Sequence, residues 1–254
     1  MNKMRGVARQ TRRTYGHLTE AWDGYRDWLV SLIRTTSPKR ILEVGGGANP
    51  ALSLEEVAAL GVNEYTVLDV SERELAKTPS GYAKICADIC SDDLPVTSNY
   101  DLVISRMLAE HVRYPRKFHK NIYHLLVPGG RAFHFFPTLL CPIFLANAVI
   151  PEQIGYRLLR WFTPETVKSP DAKFPAYYRW TYGPVRFQIR RFEKLGYEVE
   201  TYNGFFGHGY YNRIPLVRRI HRGLTNMLLK RPVPLFTSCA YLVLQRPSEA
   251  LTSG

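Results

Sequence analysis

Apolar runs of strand type alternate with helical stretches along the first half of the chain. The runs of strand type are 41–44, 65–69, 83–88, 100–105 and 131–136. The stretches of helical type are 20–35, 52–60 and 115–126. Strands that alternate with helices favour parallel βαβ units. The pattern therefore predicts an α/β fold built on one mostly parallel sheet.

The regular pattern is lost after the fifth strand. Residues 138–182 are rich in proline and aromatic residues without a clear period, and they form one predicted insertion. A helix at 185–195 and a strand at 197–202 then resume the pattern. The last strand follows only at 238–245. The segment between these two strands, 204–237, is far too long for a hairpin turn and forms a second predicted insertion.

Basic residues without any acid mark two segments. Residues 1–19 contain five Lys or Arg and no Asp or Glu, and we expect a solvated or disordered arm there. Residues 204–237 contain six Lys or Arg, again without an acid. The domain itself is expected to span 20–246, and 247–254 should be a frayed tail.

The formal net charge of +12 at pH 7 narrows the expected partners. It favours an anionic partner, which is nucleic acid, an acidic lipid surface or an anionic substrate. The length of 254 residues and the hydrophobic content of 45% are otherwise ordinary for a globular protein with a real core.

The four cysteines, Cys86, Cys90, Cys141 and Cys239, contain no C-x-x-C pair. This spacing argues against a zinc site, and no metal is expected. The N-terminus is basic but lacks the apolar core of a signal peptide, and the longest apolar segment, 139–150, is too short to span a membrane. The expected location is the cytoplasm, with peripheral contact at the inner membrane face as a further expectation.

A glycine turn, Gly45-Gly46-Gly47, follows the first strand and precedes Pro50, which suits the first turn of a helix. Glycine permits positive φ and lets a ligand approach the backbone. The carboxyl end of a first parallel strand is a nucleotide-binding position. Asp69 ends the next strand, at roughly the distance at which an acid binds a nucleotide ribose. Without a ligand, the same residues would form an ordinary tight βα turn.

The residues at this turn resemble the first motif of class I S-adenosylmethionine-dependent methyltransferases. The motif is Glu43-x-Gly45-x-Gly47, and Asn49 stands where the family often has a third glycine. Asparagine tolerates left-handed backbone better than most residues, so the departure is mild. The dinucleotide motif G-x-G-x-x-G is the alternative, but Pro50 stands at its third glycine.

Two further motifs extend the resemblance over residues 20–137. The fourth strand is followed by Glu110-His111-Val112, and the fifth strand is preceded by a Leu-x-Pro-Gly-Gly turn that ends at Gly130. All three motifs come in the order and at the spacing of the same methyltransferase class.

The resemblance implies a Rossmann-like, seven-stranded sheet, mostly parallel with an antiparallel last strand, with helices on both faces and the two insertions as substrate caps. It also implies S-adenosylmethionine as the cofactor. The residues that it places at the cofactor are Glu43, Gly45, Gly47, Asp69, Val70, Asp88, Ile89 and Ser105. Asp88 would accept a hydrogen bond from the adenine amino group, although taken alone it is equally a residue that starts a loop.

Methyl transfer from a sulfonium is an in-line displacement, so the nucleophile, the methyl carbon and the sulfur must be held collinear. A hydroxyl nucleophile also needs a base, and His111 is best placed because a histidine accepts a proton near neutral pH. In the alternative, Glu110 and His111 only shape the loop. The residues expected at the substrate are Glu110, His208, Tyr210 and Tyr211. His134 lies inside a strand and is expected to be structural.

The sequence thus favours an S-adenosylmethionine-dependent methyltransferase that O-methylates a sugar, glycolipid or other amphiphilic small molecule. Residues 135–150 and the basic 204–237 insertion would suit a lipid-linked or anionic acceptor at a membrane surface. Two alternatives stay open, an RNA-binding or RNA-methylating protein that uses the positive charge and a non-catalytic partner protein that keeps the fold. The residues after the fourth strand lack the Asn/Asp-Pro-Pro-aromatic run of enzymes that methylate base amino groups, so nucleic acid is the less favoured partner.

Overall fold

The computed structural model describes residues 11–96, 99–140, 175–207 and 215–248. Within them lies one eight-stranded sheet. In chain order, its strands are β1 (Tyr15–His17), β2 (Arg40–Val44), β3 (Glu64–Asp69), β4 (Ala83–Cys86), β5 (Tyr100–Arg106), β6 (Leu126–Pro137), β7 (Glu198–Phe206) and β8 (Cys239–Gln245). The predicted tail lies outside the described residues beyond position 248.

The strand order across the sheet is β1-β7-β8-β6-β5-β2-β3-β4. Strand β8 runs antiparallel to both of its neighbours, β6 and β7, and the other pairings are parallel. This is the Rossmann-like arrangement that the sequence predicts, with an antiparallel last strand. The strand count is corrected, because the sheet has eight strands rather than seven.

The additional strand, β1, comes from the segment that the sequence predicts to be a solvated arm. Tyr15–His17 pair in parallel with Gly204–Phe206 of β7, and the Gly204 amide donates to the Thr14 carbonyl over 2.9 Å. The expectation of a solvated arm is therefore wrong for residues 14–17. The backbone decides the structure here, because its polar groups pair with the otherwise open edge of β7.

Helices connect and cover the strands. In the described residues they are α1 (Leu18–Asp23), α2 (Tyr25–Thr36), α3 (Leu54–Ala59), α4 (Glu72–Lys77), α5 (Pro115–Leu125), α6 (Arg186–Glu193) and α7 (Pro215–Lys230). The sequence predicts one helix over 20–35, but the structure divides it at Gly24. The Gly24 amide donates to the Glu20 carbonyl over 3.0 Å and ends α1, because glycine is a weak point inside a helix.

Helices lie on both faces of the sheet, as the sequence predicts. One face packs against α2, where Tyr25 stacks on Phe133 with 5.6 Å between the ring centroids. The other face packs against α5 and α6, which contribute Phe118 and Phe192 to the core. All four side chains are buried. Two apolar layers thus fix the sheet whose carboxyl ends carry the candidate site.

Both predicted insertions lie partly outside the described residues. Of 138–182, only 138–140 and 175–182 are described, and of 204–237 the residues 208–214 are not. The described part of the second insertion includes α7. Across the described ranges, no helix is both long enough and apolar enough to cross a membrane.

Candidate active site

The order of connection reverses between β2 and β5, and open α/β sheets bind ligands in the crevice at such a point. The glycine turn lies here, with φ of 78° at Gly45 and 42° at Gly47. The Gly45 amide donates to the Leu68 carbonyl over 2.7 Å. A Cβ on Gly45 would lie 2.9 Å from Cδ1 of Leu108, and one on Gly47 would lie 3.0 Å from Oδ2 of Asp69. Both backbone conformation and space therefore require glycine at these positions.

Glu43 lies beneath this turn. Its buried carboxylate accepts hydrogen bonds from the Ala51 amide over 2.9 Å and from the Tyr65 hydroxyl over 2.6 Å. Burial raises the pKa of the Glu43 carboxyl, and the two donors oppose that shift. Glu43 thus anchors the chain that leaves the turn, while its predicted contact with the cofactor stays a prediction.

Asp69 ends β3 directly beside the turn. Its Oδ1 accepts a hydrogen bond from the Ser71 amide over 2.9 Å. Burial is the main cause that raises the pKa of this half-buried carboxyl. The next residue, Val70, has 60% of its surface exposed. The structure therefore brings Asp69 to Gly47 and leaves Val70 accessible, which fits the predicted cofactor site.

Asp88 and Ile89 follow β4, which ends at the same edge of the sheet as β3. The exposed Asp88 carboxylate accepts a hydrogen bond from the Cys90 amide over 2.8 Å and so holds its own turn. Ile89 is buried, and its carbonyl accepts a hydrogen bond from the Asn121 side chain over 2.7 Å. The contact of Asp88 with the adenine stays a prediction, whereas little of the Ile89 side chain is accessible to an adenine ring.

Ser105, near the end of β5, has its side chain engaged inside the protein. The buried hydroxyl lies 2.8 Å from Nδ1 of His134 on the neighbouring strand β6. Burial lowers the pKa of His134 to about 3, so the ring is neutral at ordinary pH. His134 is internal, as the sequence predicts, and the Ser105 hydroxyl is committed to it rather than to a ligand.

His119, which the sequence pattern does not single out, packs against His134 with 5.2 Å between the ring centroids. Burial, and to a lesser degree His134, lowers the pKa of His119 well below its ordinary value. Among the described residues, Nδ1 of His119, Nε2 of His134 and Oε2 of Glu110 are buried without a hydrogen-bond partner. The sequence does contain a signal that could have identified His119 as a buried polar residue. It shares the buried face of α5 with Ile122, where a polar residue is uncommon.

Glu110 lies in a short 3₁₀ turn, Ala109–His111, just after β5. Its carbonyl accepts hydrogen bonds from the amides of Tyr177 over 2.7 Å and Tyr178 over 3.0 Å. These bonds tie the turn to the described segment that begins at residue 175. Burial raises the pKa of the Glu110 carboxyl to about 7. The predicted substrate contact of Glu110 would thus come from a carboxyl that still holds a proton near neutral pH.

The same segment orients the His111 ring. Nδ1 lies 3.2 Å from the carbonyl oxygen of Pro175, and since a carbonyl only accepts, Nδ1 carries the proton of the neutral ring. Nε2 is then the acceptor nitrogen, and it lies 3.8 Å from Oε1 of Glu110. The chain enters this loop through Met107, whose φ of 52° is unusual for a residue other than glycine. Such strained positions concentrate in functional loops.

The remaining predicted substrate residues, His208, Tyr210 and Tyr211, lie outside the described residues. Their contacts stay predictions. In the described part of the chain, the structure brings Asp69 beside Gly47 and positions Leu108, which leads to the His111 turn, against Gly45.

Comparison with known proteins agrees with this geometry. Residues 42–134 match the family model described as a methyltransferase domain. Over these residues the chain is similar to a methyltransferase domain. Together with the Rossmann-like sheet, this match confirms the resemblance to class I S-adenosylmethionine-dependent methyltransferases, and S-adenosylmethionine is the cofactor that the resemblance implies. No curated protein is similar enough in sequence to match the chain.

Solved methyltransferase structures share the fold of this chain. An S-adenosylmethionine-dependent methyltransferase from Mesorhizobium loti is 20% identical, with a TM-score of 0.54 over 88% of this chain and 99% of that chain. The N-methyltransferase NodS from Bradyrhizobium japonicum WM9 is 13% identical, with a TM-score of 0.52 over 89% and 97%. Phosphoethanolamine N-methyltransferase 2 from Haemonchus contortus, in complex with S-adenosyl-L-methionine, is 15% identical, with a TM-score of 0.53 over 87% and 53%. At these identities the likeness establishes the fold alone.

Proposed function

We propose that this methyltransferase domain transfers a methyl group from S-adenosylmethionine to an oxygen atom of a sugar, a glycolipid or another amphiphilic small molecule. The observation that supports an oxygen acceptor is the orientation of His111. The hydrogen bond from Nδ1 to the Pro175 carbonyl makes Nε2 the acceptor nitrogen of the neutral ring. A hydroxyl has to lose its proton as it attacks, and a histidine just beyond the end of β5 can take that proton.

The bound cofactor supplies a methyl group activated by a positively charged sulfur. His111 would accept the hydroxyl proton at Nε2 while the new oxygen–carbon bond forms and the carbon–sulfur bond breaks, with the electron pair of the broken bond left on sulfur. Glu110, with Oε1 at 3.8 Å from Nε2, would stabilise the positive charge on the imidazole once its carboxyl is ionised.

The residues of the crevice fit this cofactor. Gly45 and Gly47 adopt positive φ at the carboxyl end of β2, where a backbone without side chains lets a ligand approach closely. Asp69 ends β3, the first strand after the glycine turn, which is the position of a ribose-binding acid. Asp88 is exposed at the end of the next strand. We infer that these four residues, with Val70, hold the cofactor, and that Glu43 acts on it through the turn.

Calorimetry with S-adenosylmethionine and S-adenosylhomocysteine tests the cofactor, with a nicotinamide dinucleotide as the comparison. Incubation with cofactor labelled with carbon-13 at the methyl group, together with sugar and lipid acceptors, then tests the transfer. A carbon-13 spectrum of the product identifies the methylated atom, and an O-methyl group supports the proposal. An N-methyl product would overturn the oxygen acceptor. Cofactor binding without transfer to any acceptor would favour the non-catalytic partner protein.

We also propose that α7 docks on an anionic membrane surface and brings the domain to lipid-linked acceptors. Three exposed apolar side chains recur at helical spacing, Ile220 at 65%, Leu224 at 37% and Met227 at 55%. Arg219 and Arg222 are exposed on the same helix, which contains no acid. An apolar stripe flanked by arginines is typical of helices that lie in a membrane interface.

Cosedimentation with vesicles tests this second proposal. Binding should require acidic headgroups and weaken as salt rises, because the arginines contribute electrostatic attraction. The double change Arg219→Ser with Arg222→Ser, and the single change Leu224→Ser, should each reduce binding, whereas Lys120→Ser on α5 should not. Equal binding to neutral vesicles, or none to acidic ones, would overturn the proposal. Tighter binding to RNA than to vesicles would favour the RNA-binding alternative.

A further inference from the structure

A cavity of about 430 Å³ opens between the start of α5 and the segment that leads into α6. None of its nine lining residues is acidic, and five are cationic: Arg113, Arg116, Lys117, Arg179 and Arg191. We propose that this cavity binds a phosphoryl group carried by the methyl acceptor. That the bound molecule is the methyl acceptor rests on the proposed methyl transfer. That the cavity binds a phosphoryl group rests on its lining residues alone.

The positive charge of the cavity is only partly balanced by the protein. Lys117 forms an ion pair of 2.7 Å with Asp92. Across the described ranges, none of the four arginines of the cavity forms an ion pair with a carboxylate. Like charges gathered around one space repel each other. An anion with two negative charges would relieve that repulsion, which favours a phosphate monoester over a neutral ligand.

Arg191 is held in place before any ligand arrives. Its guanidinium carbon lies 5.4 Å from the ring centroid of Trp180, 5.6 Å from that of Tyr182 and 5.1 Å from that of Phe187. Its Nη1 also donates to Oε1 of Gln188 over 3.1 Å. These contacts restrain the planar guanidinium group, whose N–H groups match the geometry of phosphate oxygens. Binding then costs less conformational entropy than it would with a free side chain.

The start of α5 lines the same cavity through Pro115, Arg116 and Lys117. This helix has 11 residues, and no side chain caps its first turn, which follows Tyr114. The first turn contains Arg116 and Lys117 but no acid, although acids are what the helix dipole favours there. Amide groups and positive potential therefore both point toward an anion at this end.

The cavity adjoins the turn that carries the candidate base. Arg113 follows His111 by two residues. Nη1 of Arg179 donates to the Arg113 carbonyl over 3.2 Å, and the segment that holds Arg179 also contains Pro175, the partner of His111. A phosphoryl group in the cavity would thus tether an acceptor beside His111. The cavity is open to solvent but compact, with Tyr114, Trp180 and Tyr182 among its lining residues. It suits one such group, whereas a length of RNA needs an extended basic groove.

Calorimetric titration with phenyl phosphate tests the cavity. Arg191→Gln should weaken the affinity about tenfold or more, the scale of charge-assisted hydrogen bonds. Arg191→Lys keeps the charge but loses the planar guanidinium group, so its affinity should lie between those of the parent and Arg191→Gln. Arg190→Gln is the matched control, because Arg190 is exposed on the same helix but does not line the cavity. Since Arg191 packs against three rings, the exposed Arg113→Gln provides a second variant whose fold is not at risk.

Three ligands distinguish the source of the phosphoryl group. Displacement of phenyl phosphate by vesicles that contain phosphatidic acid would assign a lipid-borne group, and displacement only by soluble phosphate esters would assign a free metabolite. Either result supports the cavity. Unchanged affinity in both Arg191→Gln and Arg113→Gln, no saturable binding, or displacement by an RNA oligomer at lower concentration than by phosphate would overturn it. Titration of the same variants with S-adenosylhomocysteine tests the cofactor site separately, and the carbon-13 assay of the parent tests methyl transfer.

Discussion

The hydroxyl of Tyr65 donates a hydrogen bond of 2.6 Å to the buried carboxylate of Glu43. The same carboxylate accepts a hydrogen bond of 2.9 Å from the amide of Ala51, which lies just past the glycine turn. Tyr65 therefore holds the Glu43 side chain, and Glu43 in turn holds the backbone that follows the glycine turn. Through this chain of contacts, Glu43 can influence a ligand in the crevice by positioning the backbone rather than by touching the ligand.

Replacing Tyr65 by Phe tests this relationship. The buried carboxylate of Glu43 loses a donor, so the free energy of unfolding should fall by about 1–3 kcal/mol and S-adenosylhomocysteine should bind more weakly. Tyr82→Phe is the matched control, because its ring lies 5.9 Å from that of Tyr65 but its hydroxyl donates to the Leu52 carbonyl. Calorimetry that finds the same cofactor affinity in Tyr65→Phe and the parent would contradict the link.

Short motifs predicted the part of the site that depends on local conformation. Gly45 and Gly47 adopt positive φ, and Asp69 ends its strand, as the sequence predicts. These positions follow from glycine's backbone freedom and from the period of the strands, which are readable over a few residues. The mostly parallel sheet and the antiparallel β8 followed from the resemblance that the same motifs carry.

Contacts between distant segments were not predictable in this way. Strand β1 forms because β7 offers an open edge, which the basic composition of the arm does not reveal. His119 and His134 come together from a helix and a strand, and the cationic cavity joins Arg113 to Arg191. A single sequence carries no signal for such pairs, since their side chains meet only after the sheet and helices have packed.

Asp69 is expected to hold the cofactor directly. Asp69→Ala should weaken S-adenosylmethionine binding by about 1–3 kcal/mol, the scale of hydrogen bonds to a carboxylate. Asp92→Ala removes an exposed carboxylate that pairs with Lys117 and should leave that affinity unchanged. Calorimetry measures both. Parent-like affinity in Asp69→Ala, or tighter binding of a nicotinamide dinucleotide by the parent, would count against this cofactor site.

His134 should make the fold sensitive to acid. Burial lowers its pKa from 6.5 to about 3, so its contribution to stability is full above pH 6.5 and is lost as the pH falls through 3, because the unfolded chain takes up the proton first. The loss is about 5 kcal/mol. His134→Asn keeps an acceptor for the Ser105 hydroxyl and should reduce the dependence of the free energy of unfolding on pH. Urea unfolding across this pH range measures that dependence. The control is His124→Asn at an exposed position, which should keep the pH dependence of the parent.

Glu110 should act in the opposite direction. Burial raises its pKa from 4.5 to about 7, so its stabilising contribution is full below pH 4.5 and is lost as the pH rises through 7. The loss is about 3 kcal/mol, because the folded protein must ionise a buried carboxyl. Glu110→Gln should remove this fall in the free energy of unfolding, whereas the exposed Glu72→Gln should retain it. Identical pH profiles for Glu110→Gln and the parent would mean that the carboxyl is solvated.

The last prediction concerns His111 as the base of methyl transfer. A base that takes the hydroxyl proton in the transition state contributes roughly 10²–10⁴-fold, so His111→Ala should cut turnover on that scale while cofactor affinity stays nearly intact. His111→Gln should be almost as damaging, because glutamine can keep the hydrogen bond to the Pro175 carbonyl but cannot hold the proton. Turnover of the parent should rise with pH, since a base must be unprotonated to act, and the variants should lack that rise. A loss below about threefold would mean that transfer relies on alignment alone or that the base lies elsewhere, with His208 the next residue to test. A parallel loss of cofactor binding would instead assign Glu110 and His111 to shaping the loop.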